Sequence, residues 1–146
     1  MAGLADLVRL RVRGERLLLE DHHLTDDGCD EKTAIGLAID LAEKERAACF
    51  GATISERYAP HDYYLGGRYY DIKSSLGKWL SISSRELEFA HQEVAAGRDV
   101  FYSVFLQLPN LVYEFLGYVS FKQIEPKIHF GSTPYWSLST VKSNLL

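Results

Sequence analysis

Eight residues near the middle of the chain admit few backbone paths. In Tyr63-Tyr64-Leu65-Gly66-Gly67-Arg68-Tyr69-Tyr70 a Gly-Gly pair separates two aromatic, strand-forming runs, the pattern of a hairpin with a two-residue turn. With Gly66 and Gly67 as the turn, Leu65 faces Arg68, Tyr64 faces Tyr69 and Tyr63 faces Tyr70. One step further, this register sets Asp62 directly opposite Asp71. Side chains alternate along a strand, so Lys73 shares the face of Asp71. Like charges opposed on a sheet repel and contribute nothing to folding. A hard divalent cation reverses the sign of that interaction, because it is bound through carboxylate oxygens. The hairpin therefore points to a metal site built at some cost to the apo fold.

The chain has 146 residues, 47% of them hydrophobic and 25% charged, enough for one domain (1–146) with its own core. No apolar run reaches membrane-spanning length, and Met1-Ala2-Gly3-Leu4-Ala5-Asp6 shows no basic segment followed by an apolar one. Cys29 and Cys49 fit no zinc-ligand spacing and read as reduced thiols. The expected location is therefore cytoplasmic, with no membrane partner. The net charge of -4 neither favours nor excludes a polyanionic partner. Much of the acidity lies between Asp21 and Glu45, so the rest carries a slight positive excess.

Val8-Arg9-Leu10-Arg11-Val12-Arg13 alternates apolar and basic residues, as a half-buried strand does, although a helix also fits the leucines around it. Its arginines could touch phosphates or simply protect an edge strand. Asp21 to Asp30 is a polar loop whose His22, His23, Asp26, Asp27 and Cys29 match no ligand template. Asp30 is placed to cap a helix over about 31–49, with Ile35, Ile39, Ala42 and Cys49 as its apolar stripe and Gly51 as its stop. A short strand over 52–57 precedes the hairpin, and another follows over 78–82. Ser83-Ser84-Arg85-Glu86 is a capping box opening a helix to about Ala96, with Gly97 as the stop. Val100 to Leu106 reads as a buried strand. Leu111 to Phe121 fits helix or strand, and Ile128 to Trp136 reads as strand and loop.

The order of helix, three strands, helix and strand, together with Pro60-His61-Asp62 and Asp71-Ile72-Lys73, resembles the PD-(D/E)XK nuclease superfamily. Gly36-Leu37-Ala38-Ile39-Asp40 is similar to the start of some Mrr-like relatives, and Ile82 to Ala90 to the strand-to-helix junction that follows the family's lysine. The resemblance covers about 31–106. It leaves residues 1–30 as an N-terminal strand or arm and 107–146 as a C-terminal extension. His61 interrupts the proline–aspartate pair, and Asp71 stands where glutamate is commoner. The resemblance implies an α/β fold, a restriction-endonuclease-like αβββαβ core with a mixed central sheet flanked by helices. It implies a metal-dependent endonuclease acting on DNA, in which Asp62, Asp71 and the backbone carbonyl of Ile72 hold Mg²⁺ or Mn²⁺. Lys73 would orient the attacking water and stabilise charge at phosphorus. Asp40, or alternatively Glu43, would supply a further acid. Asp62, Asp71 and Lys73 are thus the expected catalytic residues, with Gln92 and Arg68 as candidate substrate contacts, and a homodimer would handle two strands.

Each of these residues also has an ordinary use. Asp71 with Lys73 could be a solvent-facing pair, Asp40 with Lys44 an i,i+4 helix pair, and Glu86 is accounted for by the capping box. His61 could assist a proton transfer or merely pack. The tyrosines at 63, 64, 69 and 70 could stack on bases, although cross-strand packing would use at least half of them. The competing readings are a non-catalytic binding or structural module that keeps the nuclease-like fold, and an unrelated α/β module whose acids are surface charges.

Overall fold

A computed structural model describes residues 16–18, 31–56, 59–108 and 112–139. The arginines at 9, 11 and 13, the polar loop over 21–30 and Arg57 lie outside the described residues. The fold is mixed α/β. Among the described residues, eight strands, β1 (Arg16–Leu18), β2 (Thr53–Ile54), β3 (Tyr63–Leu65), β4 (Arg68–Ser75), β5 (Trp79–Ser81), β6 (Val100–Leu108), β7 (Val112–Ser120) and β8 (Tyr135–Ser137), accompany helices α1 (Glu31–Cys49), α2 (Ser84–Ala95) and the short α3 (Phe121–Ile124). Six strands form one mixed sheet in the order β1-β7-β6-β4-β3-β2, and β5 pairs with β8 apart from it. No helix among the described residues is long and apolar enough to cross a membrane.

The Gly-Gly hairpin forms in the expected register, Leu65↔Arg68, Tyr64↔Tyr69 and Tyr63↔Tyr70. Gly66 and Gly67 have φ of 58° and 82°, so both take the left-handed conformation that a tight hairpin turn requires. β4 then runs parallel to β6, with Asp71 beside Tyr102 and Lys73 beside Val104. Parallel pairing requires a crossover, and α2 lies in it. Ser83 caps that helix through its hydroxyl, which accepts from the Glu86 N–H, while the Glu86 carboxylate accepts from the Ser83 N–H.

Alternation along the hairpin and β6 divides the core in two. On one face, Ile35, Ala38, Ile39 and Ala42 of α1 pack against Phe105, Tyr113 and Phe115. On the other, Leu80, Ile82, Ala90, Tyr102, Val104 and Val119 close around the fully buried Trp136. Cys49, expected on the apolar stripe of α1, is exposed instead. It is the last residue of the helix, and Ala38, Ala42 and Ala47 are buried alanines of α1.

The strand expected over 78–82 exists as β5 but does not join the main sheet, because β8 supplies its partner: Trp79↔Ser137, Leu80↔Trp136, Ser81↔Tyr135. The described part of the stretch that fitted helix or strand is strand as far as Ser120, and only Phe121 enters a helix. Val112–Ser120 is β7, paired antiparallel with β6, and a second capping box of Ser120 with Gln123 turns the chain into α3. Residues 107–108 and 112–120 thus belong to the main sheet rather than append to it.

Candidate functional site

The acids gather where β3 stops pairing with β4. The ladder ends at Tyr63↔Tyr70, and Asp62 does not continue it. Its N–H donates to the Tyr70 carbonyl at 2.8 Å, and its Oδ2 accepts the Ile72 N–H at 2.7 Å. A short polar side chain has replaced the next backbone partner, as aspartate readily does. Direct opposition of Asp62 and Asp71 is therefore corrected to a diagonal arrangement that keeps the two carboxyl groups adjacent. In a strand the N–H and C=O of one residue point to the same edge. The Ile72 carbonyl accordingly projects beside Asp62, past the end of the β3 ladder.

Asp71 and Lys73 share a face of β4, as alternation requires. Lys73 Nζ lies 2.5 Å from Glu86 Oε2 and 3.2 Å from Asp71 Oδ2. The second contact has ion-pair distance but not hydrogen-bond geometry, so Asp71 Oδ2 is buried without a hydrogen bond. The Tyr102 hydroxyl, beside it in register, is also buried and unpaired. Burial pushes Asp71 well above the usual carboxylate range. Lys73 opposes that shift, while the neighbouring Glu86 and Asp62 carboxylates reinforce it. Glu86 moves the other way. Burial alone would raise it, but contact with the Asp71 carboxyl, the Lys73 ammonium and the Ser83 N–H holds it at about 2. Burial would also lower Lys73, yet the charges of Asp71 and Glu86 outweigh it and keep the ammonium protonated.

A second ion pair approaches from α1. Lys44 Nζ is 2.8 Å from Asp40 Oδ2 and 3.7 Å from Asp62 Oδ1. Burial raises Asp40, Lys44 lowers it, and Asp62 raises it again, which puts the Asp40 and Asp62 carboxylates within electrostatic reach of one another. Asp40, Asp62, Asp71 and Glu86 thus form a row from α1 across the sheet margin to α2, with Lys44 and Lys73 between them.

Glu43, the alternative acid, stands elsewhere. It is fully buried, accepts Arg46 Nε at 2.5 Å and the Tyr63 hydroxyl at 2.9 Å, and belongs to the packing of α1 on the sheet. Gln92 is exposed and reaches Glu88 Oε1 at 3.5 Å. Arg68 is exposed at the hairpin tip with its guanidinium 4.5 Å from the Phe101 ring centroid. Neither is drawn into the acidic row. Glu86 and Lys44 are the members that local reading assigned only structural roles. A capping-box glutamate has two oxygens, and here one holds the cap while the other holds Lys73.

The donor set of Asp62, Asp71 and the Ile72 carbonyl is all oxygen, the ligand type that suits a hard cation. Among the described residues no three ligating side chains converge into a finished cage. Magnesium does not require one, since one or two carboxylates with water and substrate phosphate suffice. Asp71 Oδ2, which has an ion-pair contact with Lys73 but no hydrogen bond, is the atom that such an ion would satisfy. Compared with protein-family models, curated proteins and solved structures, the chain matches none.

Proposed function

We propose that this chain is a restriction-endonuclease-like, metal-dependent nuclease that hydrolyses phosphodiester bonds in DNA. The observation that carries the reading is Asp71: buried, without a hydrogen bond at Oδ2, raised in pKa, and set between Asp62, Lys73 and Glu86. A fold gains nothing by burying a carboxyl group in that state, whereas an active site uses it. The succession of α1, the sheet strands β2 to β4, α2 and the sheet strand β6, with β5 set apart from the mixed sheet, supports the same assignment. Asp62, Asp71 and the Ile72 carbonyl would hold Mg²⁺ or Mn²⁺, which when bound supplies charge neutralisation at the phosphate and a more acidic water.

The chain's own groups do the rest. Lys73 is held as an ammonium by Glu86, so it acts as a donor and a fixed positive charge rather than as a base. It can orient the attacking water and offset charge that develops on the phosphoryl oxygens. Asp40, tied to Lys44, lies where it can position water or a second ion. One copy offers one such centre, so cutting both strands of a duplex takes a second copy.

The resting ion pairs favour a second reading. Lys44 on Asp40 and Lys73 on Glu86 neutralise the acids without any metal, as a non-catalytic module with this fold would retain. One experiment separates the two. Linear, nicked, branched and single-stranded DNA are incubated with Mg²⁺, with Mn²⁺ and with chelator, using wild type and Lys73→Ala. The expected outcome is metal-dependent cutting that falls at least about a hundredfold in the variant, the scale of losing one preorganised donor to a transition-state oxyanion. Equal traces from both proteins would expose a contaminant, and folded wild type that cuts nothing would leave the binding module standing.

A further inference from the structure

Immediately beside Asp62 the sheet edge borders an open cavity of about 350 Å³ that phosphodiester chemistry does not use. Ile54, His61, Tyr64 and Tyr69 form its walls, and Ser55 and Glu56 bring polar groups to it. The hairpin tyrosines separate cleanly by face. Tyr63 and Tyr70 stack on one another and turn to the α1 side, where the Tyr63 hydroxyl meets Glu43. Tyr64 and Tyr69 turn to the cavity, with ring centroids 4.9 Å apart, and His61 sits 4.3 Å from Tyr69. Phe89 braces Tyr69 edge-on from α2 at 5.2 Å. Tyr64 and Ile54 nevertheless keep 41% and 40% exposure, so a stretch of large apolar surface is left facing water.

We infer that this cavity receives one unpaired nucleobase of the DNA strand whose neighbouring phosphate lies at Asp62 and Asp71, which makes the enzyme selective for DNA carrying unpaired nucleotides at the cut. The inference rests on the nuclease reading and names its substrate class. The size is that of a small ligand pocket, at the lower end of roughly 300–1,000 Å³. Aromatic walls suit the π-face of any base. A base inside a duplex has both faces covered by its neighbours, so only one out of the stack can present a face to the cavity.

The polar groups match as well. The Ser55 hydroxyl lies 2.5 Å from His61 Nδ1, which fixes the ring. The other ring nitrogen, Nε2, is a further polar group of the cavity wall. With the Glu56 carboxylate at the rim, donors and acceptors are both available to a base edge, which itself carries both. Chain continuity fixes the location: His61 and Asp62 are consecutive, their Cα atoms about 3.8 Å apart, so a base held by His61 places its strand at the acids.

The test scans a fluorescently labelled single-stranded oligonucleotide with one abasic site moved along it. Binding is measured by anisotropy in chelator, where nothing is cut, and cleavage of the same set is measured in Mg²⁺ or Mn²⁺. One abasic position, adjoining the cut bond, is expected to weaken binding roughly 5- to 150-fold, the range that one lost stacking contact spans. Tyr64→Ala, at an exposed position, is expected to weaken binding of the intact strand to the same degree. Combined with that abasic position it should add nothing, because both remove one contact. Tyr64→Phe keeps the ring and is expected to bind as wild type. Binding indifferent to every abasic position, or no binding of single strands at all, overturns the inference. If cutting that requires Lys73 persists alongside such indifference, the nuclease stands and the base pocket falls. If Tyr64-dependent binding appears without cutting in either metal, the pocket stands and the nuclease falls.

Discussion

Asp71→Asn is expected to abolish cleavage and at the same time to make the metal-free protein more stable. The first effect follows from the site. Asn offers one neutral oxygen where the ion would have had a carboxylate, and several kcal/mol of transition-state stabilisation depend on that ion. A loss of at least about a thousandfold in cleavage is expected, with loss of Mn²⁺ binding by titration calorimetry. The second effect follows from burial. Asp71 is 7% exposed, its Oδ2 lacks a hydrogen bond, and the Glu86 and Asp62 carboxylates lie beside it. Asn has the same shape without the charge, so the substitution removes the dominant desolvation cost and the unfavourable Glu86 and Asp62 interactions. These outweigh the lost 3.2 Å Lys73 contact, and Lys73 keeps its contact with Glu86. Thermal denaturation in chelator at neutral pH should show the variant melting above wild type. An ordinary surface ion pair would behave in reverse, with unchanged cleavage and slightly lowered stability, and that result would remove Asp71 from the site.

The sign of the pH dependence follows from the same residue. A carboxyl group raised in the folded state binds its proton more tightly there than in the unfolded chain, so its contribution is fully present below the unfolded value of 3.8 and is lost as pH rises through the folded value. Glu86, held at about 2, runs oppositely, stabilising above its unfolded 4.5 and failing only as pH falls toward 2. Metal-free wild type should therefore lose stability as the pH rises above 3.8, and Asp71→Asn should lack that loss. Divalent ion should restore stability at the higher pH, because binding requires the deprotonated carboxylate.

What the sequence discloses about this site divides by range of interaction. The hairpin register was legible from Gly66-Gly67 because a two-residue turn leaves the strands no freedom. The start of α2 was legible because a capping box is local to four residues. The departure of Asp62 from the ladder was not, since it depends on a side chain competing with a backbone partner for one N–H, and both choices suit an aspartate beside a turn. Glu86 was read as a cap and nothing more, because its second oxygen meets Lys73 only after the chain has run through β5 and turned into α2. β5 itself read as a strand from its own residues, but its partner β8 comes more than fifty residues later, and no local pattern reports so distant a pairing. The tyrosines show the same limit. Alternation says that neighbours in the hairpin point to opposite faces, but only the packed helices decide which pair is covered by α1 and which borders a cavity.

Glu43→Ala is expected to cost about 3 kcal/mol of stability and to leave the catalytic chemistry of the folded molecules intact. The Glu43 carboxylate is fully buried and is held by Arg46 Nε at 2.5 Å and the Tyr63 hydroxyl at 2.9 Å. Tyr63 also meets Ser103 Oγ at 2.9 Å, and Arg46 Nη2 donates to the Tyr118 hydroxyl at 2.7 Å, so one carboxylate ties α1 to β3, β6 and β7. Removing it leaves a mostly buried guanidinium without its counter-charge, which is the costly way to break such a pair. Glu43→Gln keeps the volume and one acceptor, so a smaller loss is expected. Urea denaturation ranks the three proteins, and Mn²⁺ titration with cleavage assays on the folded fraction completes the test. Unchanged metal affinity with reduced stability assigns Glu43 to packing and leaves Asp40 as the acid that α1 contributes to the row. Metal affinity falling in Glu43→Gln while stability holds would reverse that division between the two acids, which lie less than one helical turn apart on α1.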